Sequence, residues 1–479
     1  MKRLNALLLG VVFVIMSQFV SAAPEKPLNL LIITADDMNG DSWFNCPVGA
    51  TPNLDALARR SYRFEHCHVT APICQPSRSA LMTGRVPHRN GALGFHPINL
   101  DVPTLVEVLG SNGYFTAAIN KGGHMQPQAK FNWDLRLDGS GKNPKSFRDD
   151  FEQCLQASAQ AKKPFFINAN STDPHRPFAG SRKGSSGEIE ESGNGVTAKK
   201  NNRKNEAYAA PVKMYAESEV TVPAFLEDLP DVRKEMAQYF SSVRRMDQSI
   251  GELMAALKAS GMEDRTVIVF LSDHGISAPF AKATLYFNGT WSPLLIRWPG
   301  LEKPINNTED MITTIDVMPT VLELMGVSAP AGMDGRSLVP LLNGKKQPNR
   351  DYVITHVNSV SSGKSFPSRC VRTKTHAYLW NAWPDGKTPY KVEGMAGLTF
   401  AALQQGGQSN PDLKKRVDHF LYRTAEEFYD RVKDPAERDN RVSDPAYQKE
   451  IARLKKLLLA RMEQTGDPLL EAFRKVANQ

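Results

Sequence analysis

Three short apolar runs, separated by long stretches with helical patterns, constrain the fold of this chain most strongly. They cover residues 28–34, 164–169 and 266–271. Each run has the length of a strand and is apolar on both faces, which is typical of strands buried inside a parallel sheet. Helical segments lie between them, such as residues 51–58, with Thr51 as the N-cap and Pro52 at the first helical position. This alternation predicts an α/β fold with a mostly parallel sheet.

The character of the sequence changes near residue 346. Before it, apolar residues at helical spacing predict a long amphipathic helix over about residues 232–260. After it come shorter strand-like runs at residues 352–356, 369–373 and 377–380, and a final helix that begins near Ser443 or Asp444. We therefore expect a large α/β domain over residues 23–345 and a smaller unit over residues 346–479.

The first 22 residues have the pattern of a secretory signal peptide. Lys2 and Arg3 precede an apolar run over residues 6–16, and Val20-Ser21-Ala22 resembles a cleavage site. That run is too short to span a bilayer, and no later run approaches about 18 apolar residues. The pattern predicts a secreted or periplasmic protein without stable membrane insertion.

The basic balance of the chain does not indicate nucleic-acid binding. The formal net charge is +8, from 59 basic and 51 acidic residues. The one basic cluster, at Lys199, Lys200, Arg203 and Lys204, lies in a stretch rich in Gly, Ser and Asn over residues 179–207. Such a composition is typical of a solvated loop.

A twelve-residue segment beginning at Cys74 carries the strongest functional signal. It reads Cys74-Gln75-Pro76-Ser77-Arg78-Ser79 and continues to Thr83-Gly84-Arg85. Pro76 fixes φ beside the cysteine, and Arg78 supplies a permanent cation. The segment therefore places a modifiable thiol next to a rigid backbone and a fixed positive charge.

This segment resembles the active-site loop of the sulfatase family, whose members carry Cys-x-Pro-Ser-Arg followed by Leu-x-Thr-Gly-Arg. The resemblance implies that a maturation enzyme oxidises Cys74 to formylglycine. The hydrated aldehyde then offers one hydroxyl to attack sulfur and a second from which sulfate is expelled. Arg78 would anchor this group.

Acidic residues follow two of the apolar runs, where parallel strands gather ligands at their carboxyl ends. Asp36 and Asp37 follow the first run, and Asp273-His274 follows the third. An oxygen-rich ligand set favours a hard divalent cation such as Ca²⁺ or Mg²⁺. The resemblance implies one Ca²⁺ per chain, bound by Asp36, Asp37, Asp273, His274 and the modified Cys74.

The resemblance also implies roles for two lysines and two histidines. Lys121 and Lys282 would stabilise the charge on the sulfate oxygens. His175, in Asp173-Pro174-His175-Arg176, would donate a proton to the leaving group. His124 would accept a proton from the sulfated diol, although the family pattern is Lys-x-His and this chain has Lys-x-x-His.

Further segments resemble the branch of the family that contains heparan N-sulfatase; they are residues 51–61, 173–176, 245–248, 272–276 and 427–437. Relatives in that branch have a large α/β domain with a mixed sheet and a smaller C-terminal α+β domain with an antiparallel sheet. The resemblance implies a glycosaminoglycan-type substrate, with N-sulfoglucosamine favoured. In this family, loops sort the sugars, here residues 87–100, 179–215 and 356–370, and the candidate sugar contacts are His88, His96, His356 and Arg369.

Three alternatives stay open at this point: an O-sulfatase acting on another sulfated polysaccharide, a phosphoester hydrolase on the same scaffold, and a catalytically silent glycan-binding protein. The four cysteines other than Cys74 could form disulfides in an oxidising compartment. The sequence does not determine their pairing, the oligomeric state, the sulfate position or whether cleavage is exo or endo.

Overall fold

The computed structural model describes residues 27–139, 141–181 and 208–477. The predicted signal peptide and the basic cluster at Lys199–Lys204 lie outside these residues. Within the described ranges, no helix combines the length and the apolar character needed to cross a bilayer.

Strands occur along the whole described chain and form three sheets. Within the described ranges they are β1 Asn29–Asp36, β2 Tyr62–Phe64, β3 Cys67–His68, β4 Phe115–Ile119, β5 Leu135–Leu137, β6 Phe165–Pro174, β7 Thr266–Ser272, β8 Leu294–Arg297, β9 Ile305–Asn307, β10 Ile312–Thr313, β11 Tyr352–Ser359, β12 Ser365–Thr373, β13 His376–Asn381 and β14 Glu426–Asp430.

The largest sheet has eight strands in the order β5-β4-β6-β1-β7-β8-β2-β9. Its neighbours pair in parallel except where β8 meets β7 and β2. The sheet is therefore mixed but mostly parallel, as the sequence predicted. The central position of β1, between β6 and β7, brings the carboxyl ends of all three predicted strands to one edge.

Helices cover both faces of this sheet and the outer face of the C-terminal sheet. They are α1 Asp41–Phe44, α2 Pro52–Ala58, α3 Cys74–Thr83, α4 Pro87–Asn90, α5 Leu105–Ser111, α6 Pro144–Gln160, α7 Pro230–Ala259, α8 Phe287–Thr290, α9 Val317–Leu324, α10 Val339–Leu342, α11 Leu398–Gly406, α12 Pro411–Tyr422, α13 Gln448–Thr465 and α14 Leu470–Ala477.

Strand β1 is buried on both faces because its side chains alternate between two hydrophobic clusters. Leu31 and Ile33 belong to the cluster that contains the apolar face of α7, whereas Leu30 and Ile32 belong to the cluster on the opposite face. Helices α3, α5 and α9 contribute side chains to that second cluster. Burial on both sides explains why the strand reads as a continuous apolar run.

The four strands β11 to β14 form a separate antiparallel sheet. Its outer face packs against α13 and α14 through a third cluster that includes Tyr378, Phe428 and Leu458. Its inner face contributes Cys370, Leu379 and Tyr429 to the same hydrophobic cluster as α7. The two sheets thus share one continuous core, and the division at residues 345 and 346 stays a prediction.

The predicted elements agree closely with those observed. The three apolar runs form β1, β6 and β7, and the amphipathic pattern forms α7. Thr51 precedes α2, but its side chain makes no cap hydrogen bond. The capping group is Asp247 on α7, which accepts hydrogen bonds from the backbone N–H groups of Asn53 at 3.0 Å and Leu54 at 2.8 Å.

The predicted sugar-sorting loops are only partly loops. Residues 356–370 are mostly strand, because they form the hairpin of β11 and β12. The hydrophobic alternation in this segment was masked by its polar and charged residues, several of which are buried. No disulfide joins the five cysteines, all of which lie within the described ranges.

Candidate active site

The acidic residues predicted to bind metal meet at the carboxyl edge of the large sheet. Asp36 ends β1, Asp37 follows it, and Asp273 follows β7, the parallel neighbour of β1. The backbone N–H of Asp37 lies 3.3 Å from Asp273 Oδ1, and the three side chains are at most 2% exposed. Asp37 has a φ of 69°, a left-handed conformation that turns the chain sharply after the strand.

Cys74 is the first residue of α3, which is buried over its full length. The helix N-terminus carries partial positive charge and favours negative charge on that residue. Ser77 Oγ donates a hydrogen bond of 2.6 Å to the carbonyl of Asp273, which ties the helix to the end of β7. Gly84 ends α3 with a φ of 62°, so this part of the motif serves helix termination.

Arg78 holds the acidic edge together from inside α3. Its Nη2 donates to Asp273 Oδ2 at 2.8 Å and lies 3.8 Å from Asp36 Oδ2. Its Nη1 donates to the side chains of Thr34 and Asn170. The guanidinium is 2% exposed, and its contacts fix the carboxylates around Cys74.

His274 lies between Cys74 and the carboxylates. Its Nδ1 is 3.1 Å from the carbonyl oxygen of Gly275, which can only accept, so Nδ1 carries the proton. Its Nε2 is 3.1 Å from Cys74 Sγ. Nε2 also lies 3.7 Å from Asp273 Oδ2, so the ring connects the cysteine to the acidic edge.

Two lysines reach the cluster from separate loops. Lys121 Nζ lies 2.6 Å from Asp36 Oδ2, and Lys282 Nζ lies 3.0 Å from Asp37 Oδ1. Lys121 and the preceding Asn120 both have positive φ, which marks a tight turn after β4. The structure therefore brings both predicted lysines to the carboxylates of β1.

His175 follows β6 and joins the same cluster. Its ring nitrogen, Cys74 Sγ and the carboxylate oxygens of Asp36 and Asp37 lie within 4.8 Å of one another. The residues on either side bind α7: Asp173 accepts from Arg245 at 2.6 and 3.0 Å, and Arg176 pairs with Glu235 at 2.6 Å. The motif around His175 thus fixes its loop to the long helix.

Glu393 is a site residue that the sequence reasoning missed. Its Oε2 lies 2.7 Å from Lys282 Nζ, and its Oε1 lies 3.2 Å from His175 Nε2. Glu393 begins a one-turn 3-10 helix, Glu393–Met395, in the C-terminal part of the chain. No motif surrounds it, so only the tertiary structure could place it here.

His124 and His96 lie on segments next to α3. The one-turn 3-10 helix Gly122–His124 packs against α3, and the His124 ring makes an edge contact with Phe95. His96 is exposed, and its backbone carbonyl accepts a hydrogen bond of 2.7 Å from Gln75, the residue after Cys74. The proton-acceptor role of His124 and the sugar contact of His96 stay predictions.

The other three candidate sugar contacts gather in a different buried cluster around Asp467. Arg369 donates to Asp467 at 2.6 and 2.9 Å, and the side chains of both are fully buried. His88 Nδ1 lies 3.7 Å from Asp467 Oδ2, and the His356 ring lies 5.6 Å from the His88 ring. The structure thus brings His88, His356 and Arg369 together, around a carboxylate that the sequence did not single out.

The charges at the sheet edge act strongly on one another. Burial alone would raise the pKa of Asp36, but the positive charges of Lys121 and His175 outweigh it and hold that pKa well below its usual range. Burial and the charge of Asp36 raise the pKa of Asp273. Of these two carboxylates, Asp36 is therefore the one that the neighbouring cations stabilise more strongly.

The residues at this edge fit a hard divalent cation. Among the residues that the structure describes, none donates a well-aligned hydrogen bond to the buried carboxylate oxygens of Asp36 and Asp37. Asp36, Cys74, Asp273 and His274 also place ligand atoms within 4.8 Å of one another. Buried carboxylate oxygens with unused lone pairs are the ligands that Ca²⁺ and Mg²⁺ prefer.

Comparison with known proteins finds relatives along most of the chain. The Sulfatase family model matches residues 28–327. The chain is 30% identical to human N-sulphoglucosamine sulphohydrolase over 92% of this chain and 91% of that protein. It is 28% identical to an ulvan-active sulfatase of Formosa agariphila, over 94% of this chain and 83% of that protein.

Solved structures support the same fold. A protein determined in complex with its substrate D-glucosamine-2-N,6-O-disulfate superimposes with a TM-score of 0.64 at 20% identity, over 92% of this chain and 99% of that one. A phosphonate monoester hydrolase from Silicibacter pomeroyi gives 0.63 at 17% identity, over 92% and 96%. The family-model match and the human relative show that this chain belongs to the sulfatase family, the enzymes that hydrolyse sulfuric esters.

Proposed function

We propose that this protein is an exported sulfatase that removes sulfate from carbohydrates, with N-sulfoglucosamine as the favoured substrate, through a formylglycine made from Cys74 and one bound Ca²⁺. One observation carries the proposal. Cys74, at the N-terminus of a buried helix, lies within 4.8 Å of the carboxylates of Asp36 and Asp37 and the ring of His175.

The metal site of the proposal consists of the oxygen-rich edge of the sheet. Asp36, Asp37 and Asp273 would hold the ion, with His274 Nε2 and the modified residue 74 completing the shell. A bound Ca²⁺ would polarise a sulfate oxygen and make a neighbouring hydroxyl easier to deprotonate. Arg78 keeps Asp273 in place for this purpose through its 2.8 Å hydrogen bond.

Residue 74 supplies the nucleophile in this proposal. A formylglycine at position 74 would supply, when hydrated, a hydroxyl able to attack sulfur. The protein prepares the position through the partial positive charge of the α3 N-terminus. A maturation enzyme that makes formylglycine is therefore a required partner.

The two lysines would stabilise the charge on the sulfate oxygens, and His175 would supply the proton for the leaving group. Lys121 and Lys282 lie against Asp36 and Asp37, where their ammonium groups can also face the oxygens of a sulfate. Fixed cations of this kind lower the energy of the transition state more than that of the ground state. His175 would donate a proton to the departing sugar oxygen or nitrogen, and His124 would accept a proton afterwards.

The choice of substrate rests on the sequence similarity to the human N-sulphoglucosamine sulphohydrolase. Within the proposal, His96 is the candidate sugar contact beside α3, because its backbone carbonyl oxygen accepts a hydrogen bond from the Gln75 side chain. His88, His356 and Arg369 remain predicted sugar contacts. The signal-like pattern in residues 1–22 supports export.

The experiment that tests this function is sulfate release, measured by ion chromatography. N-sulfoglucosamine is compared with 6-O-sulfated N-acetylglucosamine, using protein whose Cys74 peptide is shown by mass spectrometry to be converted. We expect release from the N-sulfated sugar. Release only from the ester would keep the sulfatase mechanism and replace the substrate with an O-sulfated sugar.

A phosphoester hydrolase is the second candidate, favoured by the structural likeness to a phosphonate monoester hydrolase. The buried cations and carboxylates could also serve a phosphoryl group. Phosphate release from 4-nitrophenyl phosphate at a higher kcat/KM than sulfate release would support this alternative. Converted protein that binds sulfated glycans and releases neither anion would indicate a silent glycan-binding protein.

A further inference from the structure

We infer that Glu393 is a positioning residue of the active site, which fixes both the proton donor His175 and the sulfate-binding Lys282. This inference rests on the proposed function and extends it with a residue from the C-terminal part of the chain. The carboxylate contacts one group with each oxygen, His175 Nε2 at 3.2 Å and Lys282 Nζ at 2.7 Å.

The backbone around Glu393 is held tightly. The following residue, Gly394, leaves no room for a side chain, because a Cβ there would lie 2.9 Å from the carbonyl oxygen of Ala278. Val392, on the other side, is buried in the main hydrophobic cluster. The turn is therefore packed against the segment between Asp273 and Lys282, and Glu393 is presented from a rigid position.

The contacts of the two ring nitrogens of His175 explain why a carboxylate is needed beside it. Its Nδ1 lies 2.7 Å from the carbonyl oxygen of Arg176, which can only accept, so Nδ1 donates. Its Nε2 lies 3.2 Å from Glu393 Oε1, so the carboxylate contacts the second ring nitrogen. Glu393 thus fixes the ring orientation in which Nε2 lies beside the carboxylate that also holds Lys282.

The lysine needs the same carboxylate for a different reason. A lysine ammonium stands on a flexible four-carbon chain and is poorly positioned by a single contact. Lys282 is held between Asp37 Oδ1 at 3.0 Å and Glu393 Oε2 at 2.7 Å. Without Glu393 the ammonium would turn toward Asp37 and away from an incoming sulfate.

The kinetic test uses Glu393→Gln, which keeps the shape and removes the charge. We expect kcat for N-sulfoglucosamine, whose amine is a poor leaving group, to fall about tenfold to a hundredfold, since proton donation as a whole contributes about 10²–10⁴-fold. The rate with 4-nitrophenyl sulfate should fall less, because its leaving group needs no proton and only the displaced Lys282 affects it. In a His175→Ala background the loss caused by Glu393→Gln should shrink to the loss seen with 4-nitrophenyl sulfate.

The matched control is Glu263→Gln. Glu263 also pairs with a cation, Arg60, at 2.6 Å, and its side chain is 10% exposed compared with 18% for Glu393. It precedes β7 and so lies at the opposite edge of the sheet from Asp273. This control should keep wild-type kinetics. A loss on N-sulfoglucosamine no larger than that on 4-nitrophenyl sulfate, or wild-type kinetics for Glu393→Gln on both substrates, would overturn the positioning role.

Crystal structures of Glu393→Gln and Glu393→Ala provide a readout that does not depend on activity. We expect the His175 ring or the Lys282 ammonium to move or become disordered, while Asp36 and Asp37 keep their places. Unchanged positions of both groups would refute the inference even if wild-type protein hydrolyses sulfate. If wild-type protein releases no sulfate, the proposed function fails, and these structures still decide the positioning claim.

Discussion

Among the buried clusters of charged side chains in the described part of the chain, those around Asp467 and around Asp36 differ in how their carboxylates are satisfied. Asp467 accepts hydrogen bonds from Arg369 at 2.6 and 2.9 Å and from the backbone N–H of Leu469 at 3.0 Å. Asp36 and Asp37 have neighbouring ammonium groups, yet none of the described residues gives them a well-aligned hydrogen bond. Both carboxylate oxygens of Asp467 therefore accept hydrogen bonds, whereas the carboxylate oxygens of Asp36 and Asp37 keep lone pairs for a ligand.

The histidines of the two clusters differ in the same way. Burial lowers the pKa of His88 to about 4 and places that of His356 well below its usual range, so both rings are neutral near pH 7. His175 and His274, in contrast, lie beside the thiol of Cys74, with His274 Nε2 3.1 Å from its sulfur. Buried charge alone therefore does not identify an active site; unsatisfied acceptors beside a reactive group do.

The largest expected effect comes from removing the reactive group itself. Cys74→Ala should lower turnover of any sulfated substrate by about four orders of magnitude or more, because no other side chain replaces the nucleophile. Sulfate release measures the loss. The control Cys154→Ala removes another buried thiol, on α6, and should keep activity. Substantial turnover by the Cys74→Ala protein would refute the mechanism.

The next effect concerns the proton donor. His175→Ala should reduce kcat for N-sulfoglucosamine by about 10²–10⁴-fold and affect 4-nitrophenyl sulfate much less, since a good leaving group needs no proton. The control is His376→Ala, whose side chain is 24% exposed compared with 19% for His175. A similar loss on both substrates would show that His175 is not the general acid.

Disrupting the Asp467 cluster should lower the stability of the folded protein. Arg369→Ala leaves Asp467 buried without its cation, so the free energy of unfolding should fall by about 3–5 kcal/mol. Arg453→Ala breaks a pair of similar geometry with Glu450, at 2.7 and 2.8 Å, but half exposed, and should cost less than about 1 kcal/mol. Chemical denaturation compares them. A stable Arg369→Ala protein with a raised KM would instead support the predicted sugar contact.

The smallest effect is a dependence of stability on pH. In the unfolded chain a histidine has a pKa near 6.5, whereas burial holds that of His88 at about 4. Between these values the unfolded state binds more protons, so stability should fall as the pH drops from 6.5 to 4, by up to about 3 kcal/mol for this residue.

A variant can separate this contribution from the rest of the protein. His88→Gln should flatten the stability profile between pH 4 and 6.5, while His96→Gln, at an exposed position, should leave its slope unchanged. Thermal unfolding at several pH values measures both. An unchanged slope in His88→Gln would show that His88 is not held neutral in the folded protein.

Much of the fold and part of the site could be predicted from the sequence because the signals are local. The apolar runs of β1 and β7 end directly at Asp36 and Asp273, and parallel pairing of the two strands brings these ends together. The motif from Cys74 onward forms one buried helix. A strand with its terminal carboxylate, and a motif within one helix, depend little on the rest of the chain.

The parts that could not be predicted depend on contacts between distant segments. Glu393 reaches His175 from a turn far along the chain, and Asn170 reaches Arg78 from inside β6. Asp467, which pairs with Arg369, lies between two C-terminal helices. None of these residues has a local pattern that reveals its partner. The residues 356–370 looked like a loop because they are mostly polar, and the burial of Arg369 by its pair with Asp467 leaves no local pattern.

The most direct test of the central claim is to measure sulfate release against the converted fraction of Cys74. Protein is prepared with increasing amounts of a formylglycine-generating enzyme, and mass spectrometry of the Cys74 peptide gives the fraction converted in each preparation. We predict that turnover of N-sulfoglucosamine rises in proportion to this fraction and extrapolates to zero without conversion. Turnover that is independent of the converted fraction would contradict it.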